Sequence, residues 1–462
     1  MRIVFKRTNF GAALLGALLC MVILFLITLY RDGGNLHAES SLFFTNYLDG
    51  RSLMQKIFDP VRNDWGCYQA RELSYLFDLL DAHFVAFLLK RKIIWFHSIC
   101  SLLLCGMMVF VQQYFTRKFF PGIPGLLVTF ISLFFVLSSP VSGLDYFRCA
   151  KYLTALGLWG AFFAGFAVFR WNKTSAKICF ILSLLLMTLS DRQGFYFTAA
   201  LCGTAAVVMF YQSLQNAPVS STRMRFVVLA PFCITCFGII NNLYLTPAMI
   251  RAVNNCDPDF SYQREIAVHG EHFYQGFLFL FGNLGNWFNN FHSSHAVAAL
   301  TGVLLACGVA AELCRRYRKG KRTASHLALC WGCLLAAMYI CSVVMVARLD
   351  LMLEFDLFFG VYSMTFMVIF LGLVTLTAPG GGKKFCTVLL AFFGIALALR
   401  LGTELMSDKF YSGYALENGC KMRQQILKEA LKDHRVDVKN QCIPYRMELF
   451  LQFYREHLLT KE

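Results

Sequence analysis

Stretches of about 20 apolar residues recur along this chain, and they constrain its fold more than any other feature. A helix rises 1.5 Å per residue, so about 20 apolar residues cross a bilayer core. Eleven such stretches can be marked: 9–30, 93–115, 123–139, 151–169, 177–190, 195–211, 226–246, 296–313, 325–346, 357–378 and 385–402. The chain is 57% hydrophobic and only 15% charged, whereas a soluble domain has about 25% charged residues. Disorder, collagen, coiled coil and a small disulfide scaffold are excluded. The expected fold is an all-α polytopic membrane domain over 1–402, followed by a small exterior helical tail over 403–462.

A formal charge of +16 invites a nucleic-acid reading, but the positions of the charges argue against it. With the N-terminus in the cytoplasm, the loops on that side hold Arg2, Lys6, Arg7, Arg117, Lys118, Arg170, Lys173, Lys177, Arg223 and Arg225. They also hold Arg315, Arg316, Arg318, Lys319, Lys321, Arg322, Lys383 and Lys384. These loops contain no acidic residue, which is the pattern of the positive-inside rule. The other 25 basic residues face all 27 acidic ones, so the rest of the chain is near neutral. The charge is therefore a topology signal, and no nucleic-acid partner is expected. The expected location is the plasma (inner) membrane, with membrane lipid around the spans. The large segments 31–92 and 247–295 and the tail then lie outside.

The basic start and apolar run at the N-terminus resemble a signal peptide. The run is too long for one and no Ala-x-Ala site follows, so it reads as a retained span. Residues 73–89 are apolar enough to tempt an extra span. That choice would flip every later loop and would bury Asp78 and Asp81, which is costly in a membrane. They read instead as an interfacial helix, with Arg71, Ser74, Asp78 and Asp81 on one face and Leu73, Leu76, Phe77, Leu80 and Phe84 opposite.

Other signals are weaker. Cys233–Cys236 and Cys330–Cys333 are C-x-x-C pairs inside spans, where small packing residues are the simpler reading. Cys420 and Cys442 could pair in an oxidising compartment. His269, Glu271, His272, His292 and His295 form a His-rich exterior stretch of a kind that could suit a divalent metal. The triplet Asn172-Lys173-Thr174 falls on the cytoplasmic side and should not be glycosylated. The tail contains two short amphipathic stretches, 422–432 and 444–459, read as a cap or an acceptor-binding module. No phosphate-binding glycine loop, dinucleotide fingerprint or internal repeat is present.

The informative segments lie between residues 30 and 200. After the first span come Arg31-Asp32 and Ala38-Glu39, then Tyr68-Gln69-Ala70-Arg71-Glu72-Leu73-Ser74-Tyr75. Trp95-Phe96-His97 opens the second span. Ser139-Pro140-Val141 with Asp145 and Arg148 follows, and Leu189-Ser190-Asp191-Arg192-Gln193-Gly194 comes last. This order resembles the membrane-embedded GT-C glycosyltransferases. It is closest to the branch holding the transmembrane and tetratricopeptide-repeat mannosyltransferases and their bacterial relatives. There an acidic pair follows the first span, an Arg-Pro-Leu-like segment enters a jaw-like helix, and Phe-His opens the next span. A Pro-Val with a later Arg and a Leu-Ser-Lys-Glu-Gln-Gly-like segment complete the series. This chain departs from it at Ala38, at Glu72 in place of proline, and at Asp191-Arg192, where the charges are swapped.

The resemblance implies a GT-C-like bundle that moves a sugar from a polyprenyl-phosphate carrier to a glycan, lipid or protein acceptor of the cell envelope. Glu39 is then the candidate general base by motif position, with Asp32 as the alternative at the end of the same span. A carboxylate within reach can take the acceptor hydroxyl proton as the bond to C1 forms. The leaving lipid phosphate needs cations, and the arginine fork matches phosphate oxygens. Arg148 and Arg192 are the candidates, with Lys151 and Arg348 behind them. Asp191 is expected to orient Arg192, and Arg71 to support the site. Asp145, His97 and the set Asp350, Glu354 and Asp356 could line the acceptor cleft or hold a divalent metal; the sequence fixes no cofactor. A transporter of a lipid-linked glycan and a non-catalytic scaffold on the same fold are the competing readings. A transporter needs ionisable groups in mid-span, and here they cluster at the outer ends.

Overall fold

The structure, a computed structural model, describes residues 7–32, 51–59, 70–91, 98–120, 122–138, 149–214, 222–256 and 268–284. It also describes helical pieces within 300–311, 335–347 and 386–399. Among the described residues the chain is helical and contains no strand. In chain order the helices are α1 (Arg7–Asp32), α2 (Leu53–Ile57), α3 (Glu72–Lys90), α4 (Ile99–Phe119), α5 (Gly125–Ser138), α6 (Cys149–Trp171), α7 (Thr174–Ser190), α8 (Arg192–Leu214) and α9 (Thr222–Ile240). A π-helical turn (Asn241–Leu245) leads into α10 (Thr246–Asn254), and α11 spans Gly270–Leu284.

The first seven apolar stretches each coincide with a helix, α1 and α4 to α9. Among the described residues, three helices are long and apolar enough to cross a membrane: Ile99–Phe119, Cys149–Val168 and Arg225–Asn254. Shorter apolar helices are Phe10–Leu26, Thr174–Ser190, Leu335–Val344 and Cys386–Leu399. Residues 357–378 lie outside the described residues, as do the tail and the Cys420, Cys442, Cys330 and Cys333 positions. The stretch 226–246 was expected to end in a loop. The helix instead continues through the π turn to Asn254, and Pro247 fits there because its ring is tolerated in a first turn. The segment 247–295, read as a loop, therefore begins as helix and contains α11 as well.

The bundle is held by a core of aromatic rings and by close approach of small residues. Trp159, Tyr152 and Phe163 of α6 are fully buried. Phe163 stacks on Phe115 and Phe119 of α4, with centroids 5.1 and 5.5 Å apart. Gly157 lets α6 lie against α7; a Cβ there would stand 2.8 Å from the Ser183 carbonyl oxygen. Gly16 of α1 lies directly on the Gln113 side chain of α4. Small residues at such crossings are how helices associate where lipid removes the hydrophobic drive between them. The turns are equally tight. Asn172, in the left-handed region at φ 49°, closes α6 onto α7, a conformation that asparagine tolerates better than most residues.

The outer surface is apolar. Leu15 of α1 is 69% exposed, and Leu229, Phe232, Ile239 and Ile240 of α9 are exposed too. A water-facing surface rarely carries so continuous an apolar face, whereas lipid requires one. The two ends of the bundle differ. At one end, Lys118 lies 5.7 Å from the Trp171 ring and Lys177 lies 5.5 Å from that of Phe226. At the other end, α3 meets the beginnings of α4 and α6, the α7–α8 turn and the segment 241–254.

One expectation about α3 is reversed. Its polar face was assigned to water, but Ser74, Asp78 and Asp81 are each only 1% exposed. They face α4, α6 and α7, while Leu80, Phe84 and Phe87 point outward and Leu80 is 51% exposed. Leu73 and Phe77 are half-buried against the main core. The helix is amphipathic as expected but turned over: protein supplies the polar partners and the apolar side faces out.

Candidate functional site

The polar end of the bundle is built around the turn between α7 and α8. Asp191 ends α7 in extended backbone, φ −156° and ψ 151°, and Arg192 starts α8. Only Gly194 allows so sharp a reversal, because a Cβ there would fall on the Met187 carbonyl. The turn buries Asp191, Arg192 and Gln193 together.

Asp191 is the centre of a buried ionic group. Lys151, in the first turn of α6, donates from Nζ to Asp191 Oδ2. The two residues are 8% and 4% exposed. The Gln193 backbone N–H also donates to Asp191. Burial pushes the Asp191 carboxyl up, but the charges of Lys151 and Arg71 more than reverse this, so it is held below the usual carboxylate range. Arg71 stands just before α3, and Arg192 lies close enough to act electrostatically on Tyr196. Cys341, from the 335–347 piece, donates through Sγ to the Gln193 carbonyl at 3.8 Å.

A second buried carboxylate lies beside this group. Asp81 Oδ1 accepts from the Cys100 backbone N–H at 2.9 Å, and Oδ2 accepts from the Ser98 hydroxyl. Cys149 Sγ is 3.7 Å from Oδ2. Burial pushes the Asp81 carboxyl up to about 6, and the hydrogen bonds from Ser98 and Cys100 work against it. Ser98 is the N-cap of α4, and its oxygen accepts from the Ser101 N–H at 2.8 Å. The carboxylate thus sits at the positive end of a helix, where anions are favoured.

A third contact fixes the start of α3. Glu72 Oε1 accepts from the Thr246 hydroxyl at 2.6 Å and from Asn241 Nδ2 at 3.5 Å. Nearby, α2 docks on α10: Asn254 Nδ2 donates to the Phe58 carbonyl at 2.8 Å, and Gln55 Nε2 to that of Val253 at 3.4 Å. Glu72 and Asn241, 169 residues apart in sequence, are therefore neighbours beside the π turn. Such turns are frequent at functional sites.

Of the residues proposed from sequence, Arg71, Lys151, Asp191 and Arg192 come together at this end. Beyond the expected role of orienting Arg192, the Asp191 carboxylate binds Lys151 and feels the charge of Arg71. Glu39, Arg148, Arg348, Asp145, His97 and the set Asp350, Glu354 and Asp356 lie outside the described residues, as does the Asp32 side chain at the end of α1. Sequence reading missed Asp78 and Asp81 as interior groups. Their spacing with Ser74 marked a polar stripe, but spacing carries no information about which solvent the stripe faces.

Among the described residues, no three His, Cys, Asp or Glu side chains are arranged to hold a metal ion. His269 and His272 are exposed neighbours, rings 5.4 Å apart, and the His269 N–H donates to His272 Nδ1 at 2.9 Å. No family model matches the chain, and neither a curated protein nor a solved structure does.

Proposed function

We propose that this chain is an integral-membrane glycosyltransferase of GT-C type, with about eleven spans and its polar end on the exterior face. It would move a sugar from a polyprenyl-phosphate donor to a cell-envelope acceptor. The observation that carries this reading is the meeting of Arg71, Lys151, Asp191 and Arg192 at the end opposite Lys118 and Lys177. Arg71, Asp191 and Arg192 come from the motif segments that carry the family resemblance, and Lys151 follows the segment that ends at Arg148 by a few residues.

The chemistry follows from these groups. The acceptor oxygen attacks C1 of the sugar as a base takes its proton, the bond from C1 to the phosphate oxygen breaks, and the lipid phosphate leaves with the electron pair. Glu39 is the proposed base. Arg192 is the leading phosphate ligand, since the helix amino end it starts adds positive potential. Arg71 lies close by. Lys151 contributes only if it shares its charge between Asp191 and the phosphate. The polar residues buried in mid-span, Gln112 and Gln113, are neutral and bond to Ser132 and Thr129 of α5 at 2.8 and 2.7 Å. Such bonds join helices, and at these two positions they offer a transporter no ionisable group.

The experiment is transfer from a radiolabelled polyprenyl-phosphate sugar by the purified chain in lipid nanodiscs. Glu39→Gln should lower the rate by roughly 10²–10⁴-fold, and Arg192→Ala should weaken donor use more than acceptor use. Near wild-type transfer by Glu39→Gln would remove Glu39 as base. Donor binding without transfer would mark a scaffold, and movement of the donor across the bilayer a transporter.

A further inference from the structure

We propose that Asp81 is a positioning residue: its carboxylate, seated on the amino end of α4 and against the first turn of α6, holds α3 where Arg71 can act on Asp191 beside Lys151. That α3 is held in this way stands on contacts alone; its bearing on a phosphate rests on the proposed function.

Two carboxylates are among the contacts that seat α3 on the bundle, one at its start and one at its middle. Glu72 fixes its first turn to Thr246 and Asn241. Asp81, nine residues and about 13 Å further along at 1.5 Å per residue, fixes its middle. A helix pinned only at Glu72 could pivot there and carry Arg71 with it. The middle contact therefore sets the direction of α3.

The Asp81 contact also reaches the first turn of α6, which carries Lys151. Ser98 O–H and Cys100 N–H bring α4 to the carboxylate. Cys149 brings α6: its Sγ lies 3.6 Å from Ser98 Oγ, 3.3 Å from Ser101 Oγ and 3.7 Å from Asp81 Oδ2. Lys151 is two residues beyond Cys149. A single carboxylate thus ties the helix that follows Arg71 to the turn that carries Lys151, and these are the two cations that hold Asp191 ionised. The group needs two acceptor oxygens at once, which a carboxylate supplies and a hydroxyl or an amide does not.

The test uses the full chain in nanodiscs, with geranylgeranyl phosphate as the probe. Cys149 is fully buried, so its alkylation by N-ethylmaleimide, mapped by mass spectrometry, reports whether α3 has shifted. Asp81→Ala should raise Cys149 alkylation and lower probe affinity about tenfold, the loss of a hydrogen-bonded charge at one remove. Arg71→Ala should also cost about tenfold, and the double variant should be no weaker than either single one, because a misplaced Arg71 has nothing left to lose. Should Asp81→Ala fail to fold, Asp81→Asn and Ser98→Ala carry the same comparison with a smaller disturbance. Losses that multiply in the double variant would overturn the proposal by making Asp81 merely structural, as would wild-type affinity and a protected Cys149 in the Asp81 variants. If the wild-type chain does not bind the probe at all, the phosphate-binding part of the functional proposal fails, while Cys149 alkylation still decides whether Asp81 holds α3.

Discussion

Substituting Asp191 by Asn removes one charge and keeps the shape of the side chain. Lys151 then loses the charge of its buried partner, and the half-buried Arg71 loses a charge that acts on it. Lys151 and Asp191 are both buried, and breaking a buried pair by deleting one partner costs about 3–5 kcal/mol. Lys151→Met is the milder change, because Asp191 keeps Arg71. The order of the two is thus fixed by the third charge: Asp191→Asn should destabilise more than Lys151→Met. Replacing both, as Lys151→Met with Asp191→Leu, should recover most of the loss, since well-packed apolar pairs often equal or exceed a buried ion pair by about 1–4 kcal/mol. The measurement is unfolding of the purified protein in detergent, wild type and variants in one cycle. A pH series adds the sign. A carboxylate held below its unfolded value of about 3.9 contributes stability above that pH, and the contribution is lost as pH falls through the folded value. The wild type should therefore lose this part of its stability below about pH 4, and the Asp191→Asn variant has no such part to lose. Additive losses in the cycle, or a Lys151→Met variant weaker than Asp191→Asn, would refute the pairing.

Two further changes test the supports of the site. Gly194→Ala would place a methyl group on the Met187 carbonyl, and overpacking against backbone costs about 1–3 kcal/mol or more. Gly203→Ala in the same helix meets nothing within 4 Å and should be neutral or stabilising by up to about 1 kcal/mol; equal melting temperatures for the two would contradict the close approach. Thr246→Val removes the hydroxyl that donates to Glu72 and should cost about 1.5–3 kcal/mol, whereas Thr246→Ser should retain most of the stability in the same unfolding assay.

The positions of seven helices were legible because a bilayer demands length and apolarity together, and both are visible in composition. The tight turns were legible too, at Asn172-Lys173 and at Asp191-Arg192-Gln193-Gly194. The continuation of α9 past Leu245 was not. The apolar stretch ends near Leu245, yet Asn242 bonds back to the Gly238 carbonyl at 2.7 Å and the helix carries on past Pro247 to Asn254. The orientation of α3 was also hidden. A period of 3.6 identifies a polar face, but whether that face turns to water or to protein depends on what lies outside, and in lipid the usual direction reverses. Motif order found Arg71, Asp191 and Arg192, and the short exterior turn before α6 pointed to Lys151. It did not find Asp81, whose importance comes from where the starts of α4 and α6 fall in space, 17 and 68 residues later along the chain.

On the proposed function, the ionic group at this end has to satisfy two opposing demands. Cations buried deeply enough to hold a lipid phosphate would be costly whenever the site is empty, because each lacks water and a counterion. Asp191 resolves this by acting as an internal anion: it neutralises Lys151 and receives the field of Arg71 while no phosphate is bound. On the proposed function, an incoming phosphate then competes with Asp191 for charge already in place, and a departing one leaves the cations with a partner. Binding is weaker than bare cations would give, and release of the spent carrier is correspondingly easier. Neutralising Asp191 should therefore move fold stability and phosphate affinity in opposite directions, whereas a pair present only for stability would not raise the affinity at all.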